Sequence, residues 1–243
     1  MECSLSGPVD VTIITPTRDR PEVFVLCERW MKAQDYVGAV QWIVVDDGER
    51  QARATMGQEY VRRASSADKY TLGANLLAAL ERVRGRKILI MEDDDYYPPP
   101  YVRVMAEKLG KASIVGEVNA RYYNFVERRW GMSGLTAHVS LCRTGLRVEL
   151  AGHLRDAAQA AHEKMDFSVD VRFWGAHPGW KRPDVPIDMF QDPRLCVSIK
   201  GLPEAHKLGQ SHRPGGMPNA DTSCDMLKKW VGQEVVAAYQ ALL

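Results

Sequence analysis

The sequence predicts an α/β protein, a parallel sheet flanked by helices. Three observations predict it. Short apolar, β-branched runs alternate with segments of helical period through the first 110 residues. Strand then helix, three times over, is the order of crossover connections in a parallel sheet. Each of the three runs also ends in a polar cluster, and ligands of such sheets bind at the carboxyl ends of strands.

The elements follow in order. Val11-Thr12-Ile13-Ile14 is a buried strand that Pro16 is expected to end. Val23, Leu26, Cys27 and Trp30 share one helical face, so a helix runs from about Pro21, which suits a first turn, to Gln34. Trp42-Ile43-Val44-Val45 is a second strand ending on Asp46-Asp47-Gly48. Leu72, Leu76, Ala79, Leu80 and Val83 form another helical face, closed by Gly85. The strand Lys87 to Met91 leads into Glu92-Asp93-Asp94-Asp95, and Val102, Met105, Ala106 and Leu109 fit a third helix.

The second half is less regular. Ser113 to Val115 and Thr136 to Leu141 are candidate strands, Glu149 to Met165 is helical, and a further helix starts at Asp166. From Gly175 to Pro218 the frequent Pro, Gly and His predict long loops. Asp221 to Leu243 opens on capping residues and places Leu227, Trp230, Val231 and Val235 on one face of a final helix. No repeat or linker divides the chain. A single domain is expected, with a ligand-binding half over residues 1–110, a second half over 111–220 and a C-terminal helix over 221–243.

A net charge of +1 gives no global reason to expect nucleic acid or a membrane surface. Arg121, Arg128 and Arg129 among Tyr122, Tyr123, Phe125 and Trp130 make a local basic, aromatic patch, a solvated face or a polyanion contact. Five scattered cysteines without a CxxC pair argue against a disulfide framework or a zinc site. The first ten residues carry no basic segment followed by an apolar core, and no run approaches the ~18 residues of a membrane span. The chain reads as cytoplasmic.

The acidic run carries the chemistry. Adjacent carboxylates repel unless solvated or neutralised by a cation. On an extended strand Asp93 and Asp95 would share one side, with Glu92 and Asp94 on the other. Hard oxygen ligands at a strand end suit Mg²⁺ or Mn²⁺ beside substrate phosphates. No GxxxxGK[ST] or GxGxxG is present, so neither a P-loop nor a dinucleotide fingerprint accounts for phosphate binding.

Taken together, VTIITPTRDRP (Val11 to Pro21), WIVVDDG (Trp42 to Gly48) and ILIMEDDDYYPPPY (Ile88 to Tyr101) resemble the signatures of family 2 glycosyltransferases of GT-A fold. The resemblance implies a Rossmann-like mixed sheet of mainly parallel strands flanked by helices, and the aspartate run stands where that family has its DxD motif. The resemblance implies that Thr15, Pro16 and Arg18, with Asp46 and Asp47, line a nucleotide pocket, and that one of the two aspartates accepts a hydrogen bond from the base. Lys69 and Asn75 would complete that wall. Asp93 and Asp95 would hold Mn²⁺ or Mg²⁺ against the donor diphosphate, with Asp94 touching ribose or sugar.

The family's base is an aspartate six residues before an Arg in a helix, which Asp166 and Arg172 match, although Met165 replaces the usual Glu. Asp170 is the competing base, and Asp166 as a helix cap is the alternative. Of the late histidines, His206 and His212, the latter is the candidate to complete a metal shell. Trp174 and Trp180 would stack on rings or pack the core.

The implied activity is a metal-dependent, inverting transfer of a sugar from a nucleotide-sugar, a UDP-sugar, to an acceptor hydroxyl. Saccharide, lipid-linked sugar, protein side chain and hydroxymethylated base in DNA all remain open as acceptors. The rivals are a sugar-1-phosphate nucleotidyltransferase, which wants a Gly-rich basic loop after the first strand, and an inactive sugar-nucleotide-binding module.

Overall fold

The structure is a computed structural model that describes residues 8–66, 68, 70–134, 137–192, 194–202 and 217–243. Its main sheet uses seven strands, β1 (Val11–Thr17), β2 (Val40–Asp46), β3 (Glu59–Arg62), β4 (Lys87–Ile90), β5 (Ile114–Glu117), β8 (Thr144–Arg147) and β9 (Ile187–Phe190), in the order β3-β2-β1-β4-β8-β5-β9. Only β8 runs antiparallel to its neighbours in this sheet, so the sheet is mixed and mainly parallel, as the family resemblance implies. Alternation along β1 sends Val11 and Ile13 to a core beneath α1 (Pro21–Lys32) and α3 (Tyr101–Leu109). Ile14 faces the opposite core, beneath α2 (Leu72–Leu80), α4 (Ala151–Glu163) and the short α5 (Val169–Phe173).

A second sheet of four strands, order β10-β6-β7-β11, is built from β6 (Arg121–Asn124), β7 (Arg129–Met132), β10 (Val197–Lys200) and β11 (Asn219–Ala220). It packs with α6 (Asp225–Val231) and α7 (Gln233–Gln240) against the outer side of α1, through Val23, Leu26, Trp30, Tyr123, Ile199, Leu227 and Tyr239.

The structure corrects several expectations. Pro16 does not end β1, which continues to Thr17. In a parallel strand a residue's N–H and C=O point the same way, and Ile14 C=O accepts the N–H of Met91 from the β4 side. Pro16, two residues on, therefore turns its missing N–H to the side where β4 has already stopped. The strand expected at 136–141 is not formed over its described residues. There the Arg143 N–H closes a turn on Ser140 C=O, Leu141–Arg143 is a 3₁₀ turn, and the strand follows as β8. The final helix is two helices, broken at Gly232, whose φ of 89° suits glycine. Asp221 does cap the first, accepting the N–H of Asp225 and Met226 at 2.8 and 3.0 Å.

The basic, aromatic patch is not a face. Tyr122, Tyr123 and Phe125 are buried. Arg129 donates to Met217 C=O and Pro218 C=O, Arg128 to Thr222 C=O, and Arg121 lies over the Trp230 ring. These arginines bind the hairpin to the C-terminal segment. Among the described residues no helix is long and apolar enough to cross a membrane.

Candidate active site at the carboxyl edge

β1, β2 and β4 finish on one edge, because Thr17 pairs with Asp46 and Ile14 with Ile90. That edge collects the three polar clusters of the sequence. At the end of β2, Asp46 is fully buried and both its oxygens are filled. Oδ1 accepts Gly48 N–H at 2.8 Å and Arg62 at 3.1 Å, and Oδ2 accepts Ala52 N–H at 2.8 Å and Tyr60 O–H at 2.5 Å. Gly48 is obligatory in this turn, since a Cβ there would meet the Asp19 backbone nitrogen at 2.3 Å.

Asp47 is equally buried and differently served. Its Oδ1 accepts Asn75 Nδ2 at 2.8 Å, and Asn75 in turn accepts from Arg63 at 2.5 Å. Asp47 Oδ2 has no hydrogen-bond partner among the described residues, with Arg63 at 3.8 Å. Asp47 and Asn75 are thus brought together.

Thr15 and Pro16 lie buried in β1, with the Thr15 hydroxyl accepting Trp42 Nε1–H at 2.9 Å on the core side. Arg18 donates to Ser66 C=O at 2.6 Å and Asp68 C=O at 2.7 Å, which fastens the segment ahead of α2 to the site's rim. Lys69 lies outside the described residues.

At the end of β4 the expected alternation fails, because the strand stops at Ile90 and the acids follow as a bend. Asp93 accepts Thr17 O–H at 2.6 Å and pairs with Arg20 at 2.6 Å. Asp94 takes the other arm of the same guanidinium at 2.9 Å. Asp95 is pinned to β10, accepting Ile199 N–H at 2.9 Å and Ser198 O–H at 3.0 Å.

Lys200 Nζ stands 3.8 Å from Asp94 and 3.5 Å from Asp95. Burial works against that ammonium, yet the Asp94 and Asp95 charges hold its pKa well above the usual lysine value. Burial, with the Asp95 and Asp94 charges alongside, pushes Glu92 up to about 8 against the pull of Lys200.

Glu92, Asp94 and Asp95 each offer an oxygen within 4.8 Å of the others, and Asp94 Oδ1 is buried without a hydrogen-bond partner among the described residues. An orphaned oxygen inside a hard-ligand group fits a divalent cation of the Mg²⁺ or Mn²⁺ kind. This group shares Asp95 with the pair that the resemblance names, while Asp93 faces Arg20 and Thr17. His206 and His212 lie outside the described residues.

Asp166 sits on a turn after α4, entered through Met165 at a φ of 51°. Its carboxylate accepts Ser168 N–H and O–H at 2.9 and 2.5 Å and Arg172 at 2.7 Å, and the side chain stays 31% exposed. Burial would raise its pKa, but the Ser168 and Arg172 contacts hold it below the usual carboxylate value. Asp170 is raised by burial, and its Oδ1 folds back onto Val171 N–H. Phe167, 60% exposed, meets Tyr70 at 5.7 Å between ring centroids. The turn that carries Asp166 thereby meets the same segment that Arg18 fastens to the carboxyl edge. Trp174 is core, donating to Thr144 Oγ1, and Trp180 packs at its edge beside Arg172.

Sequence reasoning missed Thr17, Arg20, Arg63 and Lys200. Thr17 and Arg20 fall inside the first motif, and their positions at a strand end and a helix start were the available signal. Lys200 closes a short alternating run, Val197-Ser198-Ile199, within a stretch dominated by loop residues.

A family model described as "Glycosyl transferase family 2" matches residues 12–161, more than half of the chain. No curated protein matches significantly. Among solved structures, S. aureus TarS 1-349 in complex with UDP-GlcNAc is similar at TM-score 0.59 and 14% identity, over 84% of this chain and 62% of that one. A mannosyltransferase from Pyrobaculum calidifontis, PcManGT, in complex with GDP-Man and Mn²⁺, is similar at TM-score 0.51 and 14% identity, over 82% of this chain and 60% of that one. The chain thus spans about three fifths of either solved chain.

Proposed function

The chain belongs to glycosyl transferase family 2 and is a glycosyltransferase of GT-A fold, and from that premise we propose an inverting, metal-dependent transfer from a UDP-sugar to an acceptor hydroxyl. The observation that carries the proposal is the orphaned Asp94 oxygen within the Glu92–Asp94–Asp95 group, on the edge it shares with Asp47. The UDP-GlcNAc bound to TarS supports a uridine donor, and the Mn²⁺ of PcManGT supports the cation.

In this reading Asp47 Oδ2 accepts an N–H of the donor base, with Asn75 and Arg63 fixing the aspartate. Glu92, Asp94 and Asp95 would hold Mn²⁺ or Mg²⁺, which when bound offsets the charge that develops on the leaving diphosphate. Asp93 keeps Arg20 and Thr17 in place behind that group. The acceptor oxygen attacks the anomeric carbon, the bond from that carbon to the diphosphate oxygen breaks, and the hydroxyl proton passes to Asp166. Asp166 suits this role better than Asp170 because it is partly exposed, held ionised by Ser168 and Arg172, and set beside the open Phe167 ring. Residues 1–110 supply most of the donor site and 111–220 the acceptor side, with β10 reaching back to Asp95.

The test is a panel of UDP-, GDP-, TDP- and CMP-sugars with Mn²⁺, Mg²⁺ or EDTA, read as thermal shift and nucleotide release. Stabilisation by a UDP-sugar that needs the cation is expected in the wild type. Asp94→Asn should abolish it and lower turnover by about 10²–10³-fold. A response to a guanosine donor alone would reassign the base, and silence toward every donor would sink the proposal.

A further inference from the structure

Asp94 and Asp95 face two cations of the chain itself, and these are held in different ways. Arg20 forks across Asp93 and Asp94 at 2.6 and 2.9 Å, a planar, preorganised grip. Lys200 is loose by comparison. Its ammonium approaches Asp95 Oδ1 and Asp94 Oδ2 no closer than 3.5 and 3.8 Å, at or beyond the edge of hydrogen-bond range.

The backbone beneath Lys200 is not loose. Ile199 N–H is tied to Asp95, Lys200 C=O accepts Phe125 N–H at 2.9 Å, and Val197 exchanges both backbone bonds with Tyr96. Only the flexible four-carbon stem is left to move, and it carries its charge over two of the three residues of the candidate cation group. A divalent cation in that group and an ammonium at the same oxygens repel one another. The anion that accompanies the cation offers the ammonium a new partner a few ångströms away.

Resting on the cation-and-diphosphate reading above, we propose that Lys200 is a contact for the donor diphosphate that stands on Asp94 and Asp95 until the donor arrives. It is a positioning residue that makes the cation and the donor enter together. In the donor-free protein it competes with the cation. In the donor-bound protein it adds a positive charge to the diphosphate.

The experiment compares wild type, Lys200→Met and Lys200→Arg for Mn²⁺ binding by nucleotide-free protein, followed by Mn²⁺ electron paramagnetic resonance. A second titration follows inorganic pyrophosphate in EDTA by calorimetry. Lys200→Met should bind Mn²⁺ about tenfold tighter and pyrophosphate about tenfold more weakly, a coupling in the ordinary range between linked sites. Lys200→Arg should restore pyrophosphate binding.

Mn²⁺ affinity unchanged in Lys200→Met, or pyrophosphate affinity unchanged, overturns the proposal while leaving the glycosyltransferase reading intact. Mn²⁺ binding that survives Asp94→Asn at full strength, or is missing from the wild type with and without a UDP-sugar, overturns the cation group and this proposal with it. Lys200→Gln, checked by circular dichroism, repeats both titrations if Lys200→Met does not fold.

Discussion

The carboxyl ends of β2 and β4 each carry adjacent buried acids, and the chain neutralises them by opposite means. At β2, Asp46 is surrounded by two backbone N–H groups, a phenol and Arg62. At β4, Asp93 and Asp94 lean on the side-chain cations Arg20 and Lys200, Asp95 adds Lys200 to its bonds from Ile199 N–H and Ser198 O–H, and one oxygen of Asp94 has no hydrogen bond among the described residues. A carboxylate satisfied by backbone donors is part of the fold, because releasing it unmakes a loop. A carboxylate satisfied by a mobile cation can exchange that cation for another. Asp47, next to Asp46 in sequence, belongs with the second kind through its Oδ2, which has no hydrogen-bond partner among the described residues.

The sharpest way to break this contrast is to delete one acid of each kind. Asp46→Ala leaves the Gly48 and Ala52 N–H groups and the Tyr60 hydroxyl without their acceptor and Arg62 without its carboxylate. A loss of about 3–5 kcal/mol in urea unfolding is expected, the cost of breaking a buried charged network. Asp47→Ala should cost less than half as much and fall mainly on nucleotide affinity. Equal losses in the two variants would erase the distinction between them.

A second test uses pH, because the β4 acids are strained by their neighbours. Burial raises Glu92 to about 8, from an ordinary value near 4.5, and Asp93 to about 6. These groups hold protons in the folded chain that the unfolded chain has already released, so the folded state binds more protons between those values. Stability of the metal-free protein therefore falls as pH rises from about 4.5 to about 8. In EDTA the melting temperature should drop by about 5 °C between pH 5 and 8. Glu92→Gln should flatten that slope, and Mn²⁺ should flatten it in the wild type. A slope untouched by both would show that Glu92 is not part of the group.

Which parts of this were legible in the sequence follows the same division. The edge itself was legible, because β-branched runs such as Trp42 to Val45 and periodic faces such as Leu72 to Leu80 fix local structure by composition alone. The orientation of the acids was not. Alternation assigns faces only while a strand lasts, and β4 stops at Ile90, before the acids begin. The β6–β7 hairpin escaped for a related reason. Tyr122 and Tyr123 are successive residues buried on both faces, so no polar alternation marks the strand, and the flanking arginines read as surface. Lys200 carries no motif, and Arg20 stands inside one without being marked by it, since a basic residue gains meaning only from the acids folded against it.

The smallest expected effect separates the two candidate bases, which sit four residues apart under opposite pulls. Ser168 and Arg172 hold Asp166 below the usual carboxylate value, whereas burial raises Asp170. If Asp166 accepts the proton, activity persists into acid below the ordinary carboxylate range. Ser168→Ala removes the hydroxyl that donates to Asp166 Oδ1 at 2.5 Å and leaves the Arg172 contact in place. The acid limb of kcat/KM should then move up toward neutral pH, with turnover at the plateau nearly unchanged because the carboxylate remains where it was. If Asp170 accepts the proton, the wild-type limb already lies above the ordinary range and Ser168→Ala leaves it there. A pH–rate profile of the two proteins, taken with the responding donor at saturating cation, decides between them.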